Sequence, residues 1–192
     1  KINIGGYEVK SEKTKKSGIS ASKFIVETTH DHHHRTYSDI LNLINSSSIK
    51  KKAKEISISI FDIIATAEAK VHQIEKEKIH FHEVGAVDSI IDITGTAIGI
   101  TQLEIREVFC ANIPLGKGFV KTMHGLLPVP APATLEILRE VPVYDGNFDF
   151  EVTTPTGAAI AKSLTKSFGG IPLIKVKGTG FGCGTIEKEG PP

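Results

Sequence analysis

Ile79-His80-Phe81-His82-Glu83-Val84-Gly85-Ala86-Val87-Asp88-Ser89-Ile90-Ile91-Asp92 changes its hydrophobic rhythm halfway. As far as Glu83, apolar and polar residues alternate with the period of an extended strand. Beyond Gly85 the apolar positions follow the helical period and continue so to about Ile100, with Gly95 and Gly99 inside the run. An extended segment that turns at a glycine into a buried helix puts the chain among the mixed α and β classes.

Upstream, Ile56, Ile60, Ile63, Ile64, Ala67 and Val71 recur at helical spacing and predict an amphipathic helix over 49–71. Residues 7–10 and 23–27 read as strands flanking a polar stretch with Gly18, so a hairpin is expected. The tract His30-Asp31-His32-His33-His34 then lies in a loop before a helix that Ser38 would cap, ahead of Ile40, Leu41 and Ile44. Downstream, 108–113 and 119–121 are candidate strands around Pro114 and the turn Gly116-Lys117-Gly118, and a second hairpin is expected there. Pro128, Pro130 and Pro132 force an extended entry into a helix over 133–140, and 141–144 returns to strand. Thr154 can cap a helix that starts at Pro155 and buries Ala158, Ile160, Ala161 and Leu164. A last strand is expected over 173–176. The fold class is therefore α/β or α+β, with a mixed or antiparallel sheet and several packed helices.

Composition narrows the function. The chain has 192 residues, with 23 Lys and Arg against 22 Asp and Glu, so it carries no basic field for a nucleic-acid backbone or an anionic membrane surface. No run of about 18 apolar residues suggests a membrane span, and no signal-peptide core stands at the start. A soluble, cytoplasmic protein is expected. Cys110 and Cys183 form no CxxC pair and read as reduced core residues.

In an extended segment His80 and His82 project to one face and Phe81 to the other, so two imidazoles can meet one ion while the ring anchors in the core. The same spacing fits a surface strand with two solvated histidines. Asp88 and Asp92, four apart on a helix, share a face near the end of that segment. Asp88 also suits the free N–H groups of a helix start. Asp92, amid apolar neighbours, is expected to be buried and to need a cation, a donor or water. The imidazoles of His30, His32, His33 and His34 suit nickel, copper or zinc, although a polar linker can carry histidines without metal.

For anions, Lys117 and Lys121 flank a glycine turn whose backbone donors can approach a ligand, and Thr154-Pro155-Thr156-Gly157 opens a helix. An ordinary hairpin with solvated lysines explains the first equally well. The glycines of 178–184 lack a following helix, and no GxxxxGK[ST] or nucleophile motif occurs.

The stretch from His80 to Asp92 closely resembles the LarC family, nickel-insertion proteins of the lactate-racemase cofactor pathway. Similar to the family as well are Pro114-Leu115-Gly116 with Gly118-Phe119-Val120-Lys121-Thr122, and His124-Gly125-Leu126-Leu127-Pro128-Val129-Pro130-Ala131-Pro132-Ala133-Thr134. So are Thr154-Pro155-Thr156-Gly157-Ala158-Ala159, the histidine tract and the Gly180-Phe181-Gly182-Cys183-Gly184 ending. The resemblance covers nearly all of 1–192 as one core, divisible into 1–78 and 79–192. It implies an enzyme that inserts Ni²⁺ into pyridinium-3,5-bisthiocarboxylic acid mononucleotide in a CTP-dependent reaction, forming nickel–carbon and nickel–sulfur bonds. CTP, with Mn²⁺ or Mg²⁺, is expected in a C-terminal domain beyond this chain, and a glycine- and acid-rich segment before Lys1. The start at Lys1 and the breaker Gly190-Pro191-Pro192 agree with a fragment.

Metallation needs a base for the pyridinium C4 proton, and His82 and Glu83 are the candidates. His80, His82, Asp88, Asp92 and the histidine tract are candidates for the metal; Lys117, Lys121, Thr154, Thr156 and Gly157 are candidates for the mononucleotide. Three rival functions fit the same residues: a non-catalytic nickel chaperone, a metal-dependent phosphoester hydrolase, and an assembly domain using the proline-rich 128–132 stretch. A homo-oligomer is compatible with each.

Overall fold

Gly18, with φ +80°, makes the turn between strands β1 (Tyr7–Lys16) and β2 (Ile19–Thr28), which pair antiparallel along their whole length. The expected hairpin is present, and its strands extend through most of the polar stretch, since the pairing runs on to Lys16 with Ile19. The computed structural model describes residues 2–16, 18–28, 35–81, 86–123 and 125–184.

Strand β3 (Arg35–Thr36) runs straight into helix α1 (Tyr37–Ser46). The cap is Thr36 rather than Ser38, because Thr36 forms a reciprocal capping box with Asp39. Helix α2 (Lys51–His72) matches the periodic run and stops where Gln73 turns left-handed at φ 54°. A short 3-10 turn leads into β4 (His80–Phe81), and helix α3 (Val87–Gln102) follows. The switch from extended to helical backbone stands where the change of period put it.

Then come β5 (Val108–Cys110), β6 (Ile113–Gly116), β7 (Phe119–Thr122), β8 (Gly125–Pro128), α4 (Pro132–Ile137), β9 (Val143–Phe148), α5 (Pro155–Leu164) and β10 (Thr165–Phe168). Among the described residues the strands form five two-stranded ladders. β1–β2, β3–β4 and β7–β8 are antiparallel, whereas β5–β10 and β6–β9 are parallel. The class is thus mixed α and β, as expected.

Two expectations fail. The 108–121 stretch is not a hairpin, because Gly118 at φ +103° redirects the chain and sends β7 to pair with β8. β6 pairs in parallel with β9 instead, after a crossover through α4. Residues 173–176 form no strand, and Leu173 and Val176 stand exposed.

Helix α2 is the centre of the core. Its Ile60, Phe61, Ile64 and Ala65 are fully buried against Ile40 and Ile44 of α1, Ile90 and Ile93 of α3, Ile137 of α4 and Ala158 and Ala159 of α5. Burial of each large apolar side chain stabilises the fold by roughly 1.5–3 kcal/mol. Phe81 enters the same core from β4, edge-on to Tyr37 with ring centroids 6.4 Å apart and tilted on Phe61 at 6.2 Å. The inward Phe81 and exposed His80 are the alternation read from the sequence.

Candidate functional site

The packing of α3 and α5 on α2 brings one face of α3 beside the start of α5, with β2 alongside. A cleft of about 780 Å³ opens between them, lined by Phe24, Ser89, Asp92, Gly95, Thr96, Glu151, the Thr154–Gly157 turn and the apolar Ile91 and Ile160. That size and mixture suit a small organic ligand.

Each wall has a local cause. The apolar side of α3, with Val87, Ile90, Ile93, Thr94 and Ala97, is turned into the core, so the helical period leaves Asp88, Asp92 and Gly95 on the open side. α5 starts where the Thr154 side chain accepts the Gly157 N–H at 3.2 Å. Pro155 has no N–H, which leaves the Thr156 amide as the remaining donor of the first turn. Thr153 Oγ1 donates to the Pro114 carbonyl at 2.7 Å, tying this turn to β6. Lys162 Nζ donates to the Ile137 and Arg139 carbonyls at 2.7 and 3.0 Å, holding α5 on the end of α4.

Asp92 departs from its expected burial. It is exposed to the cleft rather than enclosed in the core. Partial loss of water between the cleft walls, followed by the Asp88 carboxylate one turn away, pushes its pKa up. The two carboxylates share a face of α3, and a cation beside them would relieve that repulsion.

His80 is exposed on β4, opposite Thr36 of β3, and contributes to holding the Asp39 carboxyl low after the two Thr36 hydrogen bonds. Among the described residues no three His, Cys, Asp or Glu side chains come together to hold an ion. His82, Glu83, His30, His32, His33 and His34 lie outside the described residues.

Of the mononucleotide candidates, Thr154, Thr156 and Gly157 line the cleft with Asp92. Lys117 and Lys121 do not. Lys117 Nζ donates to Asn147 Oδ1 at 3.2 Å and lies 3.6 Å from Asp149, while Lys121 is exposed on β7. The Gly118 turn separates Lys117, which follows β6, from Lys121 on β7. Phe24, Ser89, Gly95, Thr96 and Glu151 were missed: Ser89, Gly95 and Thr96 stand three or four residues from Asp92 on α3, so helical spacing could have found them, whereas only the packing of distant elements brings Phe24 and Glu151 to the cleft.

Comparison with known proteins agrees with the motifs. A pyridinium-3,5-bisthiocarboxylic acid mononucleotide nickel insertion protein of Geobacillus kaustophilus is 48% identical over 202 residues, covering 100% of this chain and 49% of that protein. Proteins of the same name from Desulfitobacterium hafniense and Staphylococcus saprophyticus are 47% and 44% identical, covering 97% and 99% of the chain and 46% and 49% of their own lengths. The chain spans about half the length of the curated relatives it matches. No solved structure matches it. The family described as "Nickel insertion protein" matches residues 1–192, and with relatives this similar along the whole chain, the chain belongs to that family.

Proposed function

We propose that this chain handles nickel and the organic substrate in the insertion of Ni²⁺ into pyridinium-3,5-bisthiocarboxylic acid mononucleotide, forming a nickel-pincer cofactor. The observation that carries the proposal is the cleft, in which the Asp92 carboxylate and the start of α5 face one space. A metal-side carboxylate and backbone donors for an anion are the two things such a substrate pair demands. In this assignment Thr154, Thr156 and Gly157 bind the mononucleotide, and Asp92 and Asp88 attract Ni²⁺. Lys117 and Lys121 lie outside the cleft walls and are assigned no contact within it.

For the histidines the support is sequence adjacency to described residues. Arg35 pairs with Phe81, the tract ending at His34 directly precedes Arg35, and His82 directly follows Phe81. Arg35 and Phe81 are the pair at one end of this antiparallel ladder. Only residues 82–86 separate that end from α3. We therefore assign His80, His82 and the tract to nickel capture and His82 or Glu83 to accepting the C4 proton. The CTP requirement, with Mn²⁺ or Mg²⁺, we assign to the half of the relatives' length that this chain does not span. Among the described residues no helix is long and apolar enough to cross a membrane, and a cytoplasmic location is part of the same proposal.

Calorimetric titration of the chain with Ni²⁺, and separately with the pyridinium mononucleotide, tests this. Both should bind, and Asp92→Asn should weaken nickel about tenfold or more. It should also raise Tm in metal-free buffer, because a carboxyl whose pKa is raised by folding destabilises the fold above that pKa. Nickel binding with no affinity for the mononucleotide would leave the chaperone function and overturn this one.

A further inference from the structure

Phe24 is a large apolar side chain left half exposed, at 52%, inside a cleft. Its water-facing ring gives up the gain that burial would bring, unless a ligand covers it. β2 stands beside α3, and among the α3 residues lining the cleft Gly95 carries no side chain; an added Cβ there would meet nothing within 4 Å. The neighbouring Thr96 hydroxyl is turned back along the helix to donate to the Asp92 carbonyl at 2.7 Å. An aromatic ring, a helix position without a side chain and a carboxylate therefore share one cavity.

We propose that this is a slot for a flat, positively charged aromatic ring, and that Phe24 selects the pyridinium form of the substrate. The inference rests on the mononucleotide function proposed above and adds to it the residue that discriminates ring charge. A ring face attracts a cation placed over it, and stacking on an aromatic side chain adds to that attraction. The Asp92 carboxylate balances the ring's charge. A neutral, puckered dihydropyridine gains neither cation–π attraction nor a full stacking contact.

Nicotinamide mononucleotide and its reduced form are suitable probes, because they share ribose and phosphate and differ in ring charge and planarity. Calorimetric titration of the full chain should show the pyridinium form binding about tenfold tighter than the reduced form, the scale of one stacked ring. Phe24→Ala should abolish that preference, and Phe24→Tyr should keep it. Gly95→Val should weaken both forms by narrowing the slot, with an undiminished Tm showing that the fold is intact. Equal affinity for the two forms, or a preference unchanged in Phe24→Ala, overturns the slot while the mononucleotide function stands. Failure of both forms to bind the unaltered chain overturns the slot and the mononucleotide function together.

Discussion

Asp62 accepts two hydrogen bonds at one oxygen, from the Tyr37 hydroxyl at 2.6 Å and from Lys76 Nζ at 2.8 Å. Burial tends to raise its pKa, but the Lys76 and Tyr37 bonds outweigh it and the carboxyl is held low. Burial and then Asp62 itself push the Tyr37 pKa up, so the phenol remains a donor throughout the working range. A carboxyl whose folded pKa is depressed contributes stability that is fully present above its unfolded value of about 4. That contribution is lost as pH falls through the lower folded value. Asp62→Ala should cost about 1–2 kcal/mol in urea unfolding at pH 7, and the difference from the parent chain should shrink toward zero in strong acid. A difference independent of pH would assign the loss to packing. None of this was legible in the sequence, because Tyr37, Asp62 and Lys76 stand on three separate elements.

Two glycines show how context sets the sign of a substitution within an element. Gly116 ends β6 against the chain after β9, and an added Cβ would collide with the Phe150 carbonyl oxygen. Gly95 lies on the open face of α3. Gly116→Ala should cost about 1–3 kcal/mol by overpacking. Gly95→Ala should instead gain roughly 0.5–1 kcal/mol of helix propensity. Thermal melts of the two variants should therefore move in opposite directions, and a shared direction would contradict the packing described here. Helices α2, α3 and α5 were legible because their period and caps are local properties. The strand partners were not, since Val108–Cys110 and Ile113–Gly116 are too short to reveal which distant segment completes each ladder.

At the scale of the molecule, α2 joins the other helices into one core, and Phe61 is its largest fully buried side chain. Phe61→Ala should cost about 3–5 kcal/mol by leaving a cavity beside Phe81. Against a typical total of 5–15 kcal/mol, that is a large share, and the same core holds α3 and α5 apart at the width of the cleft. The variant should lose ligand affinity together with stability in chemical unfolding, although residue 61 does not line the cleft. Full affinity in a strongly destabilised variant would show that the cleft keeps its shape without this core.

The mixed class, the long helices, the first hairpin, the turn into α3, the Thr154 cap and the family resemblance all follow from the sequence by itself. They depend on periods, caps and motifs that span a few neighbouring residues. Only the tertiary structure decided that β6 pairs with β9 rather than with β7, that Asp92 faces a cleft rather than the core, and that Phe24 and Glu151 join Thr154 beside it. Those outcomes depend on which faces of distant elements meet, and that is set by how α2, α3 and α5 together bury the most apolar surface, a property of no single stretch.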